Sequence, residues 1–265
     1  MTSALTSRPE QVRPGTATVL ARTSAAEWSR IWTVRSSWWF LLAAAVVVLG
    51  LSTIIGYDAT DEAPGDAPPE GVWIASQATG MIALFGMLAM AVVTATADHG
   101  NGGIVPTLQW TPRRAVLLAA RSGVIVVTTT LLGLLLVVTG CVLIGLIAPD
   151  IGLPVAEGVE TAATLAFVYL TGTCLAVGLS LLLRSTAGAL VSVLALMLVL
   201  PLLVAQFPYE WAQTLSDLMP GKSALYLVSD EPGMTATQTR TTLASWAVGA
   251  LVLGGWRLLR TDADR

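Results

Sequence analysis

Six long apolar stretches decide what this chain can fold into. They lie near residues 38–57, 73–97, 122–148, 161–183, 187–207 and 241–259, and each meets or approaches the roughly 20 residues that a bilayer crossing requires. A helix is the expected form of each, because lipid offers no partner to an unpaired backbone group and the short alternating segments of a barrel are missing. Of 265 residues, 54% are hydrophobic and only 12% are charged, against about a quarter charged in soluble domains. The expected fold class is therefore all-α: a polytopic membrane protein with six transmembrane helices. The last window is the least regular at its start, where Thr241, Thr242 and Ser245 dilute it.

The connections sort by charge. On one side lie the N-terminal stretch, residues 98–121, Arg184 and the tail, with twelve Arg against five acids. On the other lie residues 58–71, 149–160 and 208–240, with only Lys222 and Arg240 against twelve acids. Positive charge stays inside, which puts both termini in the cytoplasm of a multi-pass cell-membrane protein, in agreement with an even number of spans. Residues 1–22 are expected to be a flexible cytoplasmic arm, and residues 23–265 a single six-helix transmembrane domain. The arm is too long before its first apolar run, and lacks the cleavage pattern, for a signal peptide. "DATDEAPGDAPPE" is expected to be a solvated exterior loop. "YEWAQTLSDLMPGKSALYLV" keeps apolar residues at helical spacing around Pro220 and Gly221, the pattern of two short helices dipping into the outer interface before the last span.

Motifs for chemistry within the chain fail on inspection. "PGKSAL" contains the GKS of a phosphate-binding loop, but Ser216 stands where the first glycine is needed, on the expected exterior. His99 is the sole histidine, with no partners at metal-ligand spacing and no triad to serve. Cys141 and Cys174 sit inside apolar runs, as small packing residues do. No catalytic residue, cofactor site or metal site is assigned, and no nucleic-acid partner is expected. The centres of all six windows lack Asp, Glu, His and Lys, the residues by which ion-coupled carriers work. Uphill transport through such a chain would need energy from a partner.

Two polar pieces on the arginine-rich side are placed to receive one. In "TSAAEWSRIWTVRSSWWFLL", Trp28, Ile31, Trp32 and Trp39 are expected to face the lipid interface, and Glu27, Arg30 and Arg35 to face water or protein, in an N-terminal interfacial helix that bends into the membrane. An aromatic belt with basic anchors explains the same tryptophans and arginines, but not Glu27. The second piece is "DHGNGGIVPTLQWTPRR". Gly100, Gly102 and Gly103 permit a sharp turn. Pro112 suits the first turn of the next helix with Thr111 as its N-cap, and Arg113 and Arg114 mark the return to the membrane. Arg121 stands at a span end, where its guanidinium can snorkel. Spacing alone fits an ordinary loop with topology-setting arginines equally well.

The run "DHGNGGIVPTLQWTPRRAVLLAAR" resembles the cytoplasmic loop of ABC-2-type exporter permeases, particularly actinobacterial ones, which read approximately E-Y-R-H-G-T-I-R-P-T-L-x-x-T-P-R-R-x-x-x-L-A-A-K. Gly102, Ile104, Pro106, Thr107, Leu108, Thr111, Pro112, Arg113, Arg114, Leu118, Ala119 and Ala120 agree; Asp98 and Arg121 keep the charge sign of the usual Glu and Lys. Gly103 replaces a common Thr, and Gly100 and Val105 replace basic residues, so this elbow is less positive than usual. The resemblance implies a pathway formed by two permease chains, identical or related, with two ATPase subunits below that hold ATP and Mg²⁺. It also implies that the interfacial helix and the elbow transmit the ATPase motion. Carried onto this sequence, the coupling set is Glu27, Arg30, Asp98, Gly102, Gly103, Thr111, Pro112, Arg113, Arg114 and Arg121.

The expected function is the permease subunit of an ATP-driven exporter, not itself an enzyme. Its cargo would be hydrophobic or amphipathic (a drug, lipid or secondary metabolite), since the spans lack buried charge. Thr128, Thr129, Thr130, Thr139, Thr171, Thr173 and Gln77 offer scattered hydrogen-bonding capacity, or serve helix packing. The alternative is a non-transporting immunity or regulatory subunit that binds a partner in the bilayer; an intramembrane enzyme ranks last.

Overall fold

The computed structural model describes residues 15–61, 72–100, 114–229 and 234–260. Every regular element among them is helical: α1 (Thr16–Thr33), α2 (Arg35–Asp61), α3 (Val72–Gly100), α4 (Arg114–Ile147), α5 (Val155–Leu183), α6 (Thr186–Ala205), α7 (Glu210–Asp217), α8 (Pro220–Ser229) and α9 (Ala236–Arg260). Six of these, α2 to α6 and α9, are long and apolar enough to cross a membrane. The chain is an all-α polytopic membrane protein, as its windows indicate. The helices overrun the apolar windows; α4 starts eight residues before its window and α5 six. Hydropathy marks only the part a bilayer would cover, whereas backbone hydrogen bonding continues into the polar ends. Similarly, α1 starts at Thr16, inside the stretch expected to be a flexible arm.

The turns follow local chemistry. Between α5 and α6 only Arg184 and Ser185 intervene: Arg184 takes the left-handed conformation (φ 54°) and donates its N–H to the Ser180 carbonyl, while the Ser185 hydroxyl accepts from the Gly188 N–H at 3.2 Å. The first device ends a helix and the second starts one. At the opposite end a short 3₁₀ turn, Pro149–Ile151, joins α4 to α5 through Gly152 at φ 77°.

Small residues set the tightest packing. A Cβ at Gly178 of α5 would stand 2.4 Å from the Ala250 backbone of α9, and one at Gly254 would stand 2.4 Å from the Gly178 carbonyl oxygen. Backbones meet directly along this seam, the small-residue packing that replaces hydrophobic drive inside lipid. In the centre, the fully buried Tyr169 of α5 lies against Gly133 of α4, where a Cβ would be 2.1 Å from its ring, and donates its hydroxyl to the Gly80 carbonyl of α3 at 2.7 Å. One side chain thus joins three spans and satisfies its own polar atom. A hydroxyl contact of 2.8 Å between Thr96 and Thr186 links α3 to α6.

Pro201 interrupts the regular hydrogen bonding of α6. Just before it, α6 widens into a π turn over Ala195–Val199. Proline brings no N–H for the carbonyl four residues back, at Met197, and Gly221 of α8 occupies the site: a Cβ there would sit only 1.9 Å from the Met197 oxygen. The α7–α8 pair runs down α6 to reach this level. Gln213 donates to the Ala205 and Phe207 carbonyls, the Ser216 hydroxyl to Pro201, and Gly221 meets Met197. Met197 lies eight residues inside the end of α6, about 12 Å at helical rise. The pair is re-entrant, and the Trp246 indole of α9 donates to the Leu218 carbonyl at its bend, 2.8 Å away.

Candidate functional site

The arginine-rich end of the bundle carries the site. Its centre is a pair of buried charges. Glu27 of α1 is 7% exposed and Arg121 of α4 is 3% exposed. The Arg121 Nε donates to Glu27 Oε2 at 3.3 Å and a terminal nitrogen donates to Oε1 at 3.1 Å, a two-pronged pairing of planar groups. Arg30, one turn along α1, lies 4.0 Å from the same Oε1. Burial lowers the Arg30 pKa from the usual arginine value; the Arg121 charge adds to this and the Glu27 charge opposes it. Two guanidiniums thus share one carboxylate.

The local sequence explains the arrangement. Glu27 and Ile31 stand four residues apart on one face of α1, and both are buried. That face lies on α4, with Leu20, Ser24 and Trp28 bordering Ala119, Gly123 and Val127. Of the two surroundings expected for Glu27, water or protein, it has protein, that of its own chain, and the placement of Ile31 at the lipid interface is corrected. Trp28 and Trp39, 49% and 69% exposed, do lie outward. Arg121 is corrected likewise: it turns inward to Glu27 instead of snorkelling. Together the two side chains hold α1 onto α4.

A rigid corner follows. Val34 is the only residue between α1 and α2, and its extended conformation turns the chain. The Trp38 indole N–H donates to the Trp32 carbonyl at 3.0 Å, satisfying a carbonyl in the last turn of α1. Trp32 packs edge-on against Trp28 and tilted against Trp38, with centroids 5.6 and 5.3 Å apart. These contacts hold the angle between the interfacial helix and the first span.

Three other arginines at this end lie at helix termini. Arg114, at the start of α4, donates to the Leu259 carbonyl of α9 at 3.5 Å. Arg257 of α9 donates to the Leu182 carbonyl of α5. Arg260 lies 5.0 Å over the Trp256 ring. Each carbonyl belongs to a helix C-terminus, where positive charge is favoured. These side chains join the ends of α4, α5 and α9 besides marking a side of the membrane.

Of the residues expected to couple to an ATPase, Glu27, Arg30 and Arg121 come together and Arg114 sits at the foot of the same helix as Arg121. Asp98 falls in the last turn of α3. Gly102, Gly103, Thr111, Pro112 and Arg113 lie outside the described residues. Five of the span threonines spend their hydroxyls locally: Thr128, Thr129, Thr139, Thr171 and Thr173 each donate to the carbonyl four residues earlier on their own helix, while the buried Thr130 hydroxyl has no hydrogen-bond partner among the described residues. Lys222 of the GKS sequence pairs with Asp217 at 2.6 Å and lies 5.5 Å over Tyr226, and Ser223 donates to the Asp217 carbonyl. The sequence feature that might have exposed the Glu27–Arg121 pair was the one acid on an otherwise basic and aromatic helix.

No protein-family model matches the sequence, and no curated protein matches it. The likeness to ABC-2 permeases accordingly rests on residues 98–121 and on the six-span plan.

Proposed function

We propose that this chain is the membrane-spanning subunit of an ATP-driven exporter, working with a separate ATPase and a second permease chain. It sits in the cell membrane with both termini cytoplasmic, moves a hydrophobic or amphipathic cargo, and catalyses nothing itself; ATP and Mg²⁺ belong to the partner. The observation that carries this reading is the buried Glu27–Arg121 pair. It makes a peripheral helix and the foot of a span one body, directly after the polar insert whose sequence resembles a permease elbow. A push on α1 or on the start of α4 is then delivered to the span as a tilt, which a loosely tethered amphipathic helix would not do.

The test is to purify the tagged chain in mild detergent from its native host, identify the proteins that accompany it and assay the complex for ATP hydrolysis. A stoichiometric ATPase, lost when Arg113 and Arg114 are both changed to Ala, is the expected outcome. A well-folded chain that arrives alone and without hydrolysis refutes the reading and favours a non-transporting membrane subunit.

A further inference from the structure

At the acidic end, four helices enclose a cavity of about 270 Å³ between α3, α5, α8 and α9. It is unusual in how its polar groups are used. Mid-span threonines spend their hydroxyls on their own helices. By contrast, Gln77, Thr161 and Thr164, which line this cavity, make no hydrogen bond among the described residues. Amide and hydroxyl groups left unspent at the wall of a cavity are held ready for water or a ligand. Two opposite charges also line it. Glu160 of α5 and Arg240 of α9 are exposed at its rim, and neither forms an ion pair with any described residue. Leu165, Val228 and Thr239 are the buried part of its lining.

We propose that this cavity binds a small zwitterion, its ammonium against Glu160, its oxyanion against Arg240, and its frame hydrogen-bonded by Gln77, Thr161 and Thr164. The size fits: the volume corresponds to about nine waters and falls just below the range of roughly 300–1,000 Å³ for drug-sized sites. A carboxylate and a guanidinium on separate helices select for a molecule that bears both charges, since one with a single charge leaves the other side chain unmatched. The same chemistry is available from a free zwitterion or from a phosphoethanolamine lipid headgroup. The site belongs to this chain alone and does not depend on an ATPase.

The experiment uses the full chain in phosphatidylglycerol nanodiscs, titrated calorimetrically with phosphoethanolamine. Saturable binding is expected, at least tenfold weaker in Glu160→Gln and in Arg240→Gln, and at least tenfold weaker for ethanolamine or glycerol phosphate. Both side chains are exposed, so the variants fold as the parent does. Discs containing phosphatidylethanolamine separate the sources: competition with the soluble probe assigns the lipid headgroup, and unchanged binding assigns a free zwitterion. Absence of saturable binding in phosphatidylglycerol discs, or binding unaltered in both variants, overturns the proposal.

Discussion

The α1–α4 contact and the α5–α9 seam both press two helices together, but they are made of opposite materials. Along the seam, Gly178 and Gly254 bring backbone to backbone, with no room for a Cβ on either side. Between α1 and α4 the union depends on a carboxylate and a guanidinium removed from water. A backbone seam has one fitting register and no part that can be turned off. A charge pair is less economical, because desolvation offsets much of its attraction, yet it fixes register and loses its hold when one partner changes. In this comparison α5 and α9 are the fixed frame, and α1 is the attached part through which an external force enters.

Changes at four places break or sharpen that contrast. The largest effect is expected at the charge pair: Glu27→Met takes from the buried Arg121 the carboxylate that it grips at two points, at a cost of about 3–5 kcal/mol. The double change Glu27→Met with Arg121→Met recovers most of the loss, because both charges leave together. Thermal unfolding of the purified chain measures both. Next, Gly178→Val forces α5 away from α9, for about 1–3 kcal/mol or more. Here no second-site change at a charge restores stability, and denaturation in detergent monitored by helix signal shows it.

A smaller loss of about 1–2 kcal/mol is expected for Gly221→Ala, at the low end of overpacking, since α8 must move off the Met197 carbonyl that it covers. Its signature is local: accelerated proteolysis between α7 and α9, with the α1–α4 pair unaffected. The smallest is Tyr169→Phe. It removes the hydrogen bond to the Gly80 carbonyl but keeps the ring against Gly133, and about 1 kcal/mol is expected. Equality with Gly178→Val would mean that the central hydroxyl, not the backbone seam, holds the frame.

The sequence carries much of this fold because span identity depends on local hydropathy, which survives without any knowledge of neighbours. The six spans and the re-entrant pair around Pro220 and Gly221 follow from composition and turn chemistry. Which side chain meets which does not. Glu27 and Arg121 are 94 positions apart, and each looks like an ordinary interfacial charge until α1 is laid on α4. Thr128, Thr129, Thr139, Thr171 and Thr173 look like pathway polarity, whereas their hydroxyls close back onto their own helices. Conversely, Glu160 and Arg240 pass as two loop-end charges, and only the packing of α5 beside α9 brings them to one cavity.

The most direct measurement is amide hydrogen exchange of the purified chain, comparing residues 16–33 with the α5–α9 seam in the parent, Glu27→Met, Arg121→Met and the double variant. If the charge pair makes α1 part of the bundle, each single change lowers protection of α1 at least tenfold while the seam stays protected, and the double change restores most of it. Unaltered protection of α1 in both single variants would contradict the account, since α1 would then be held by its apolar face alone.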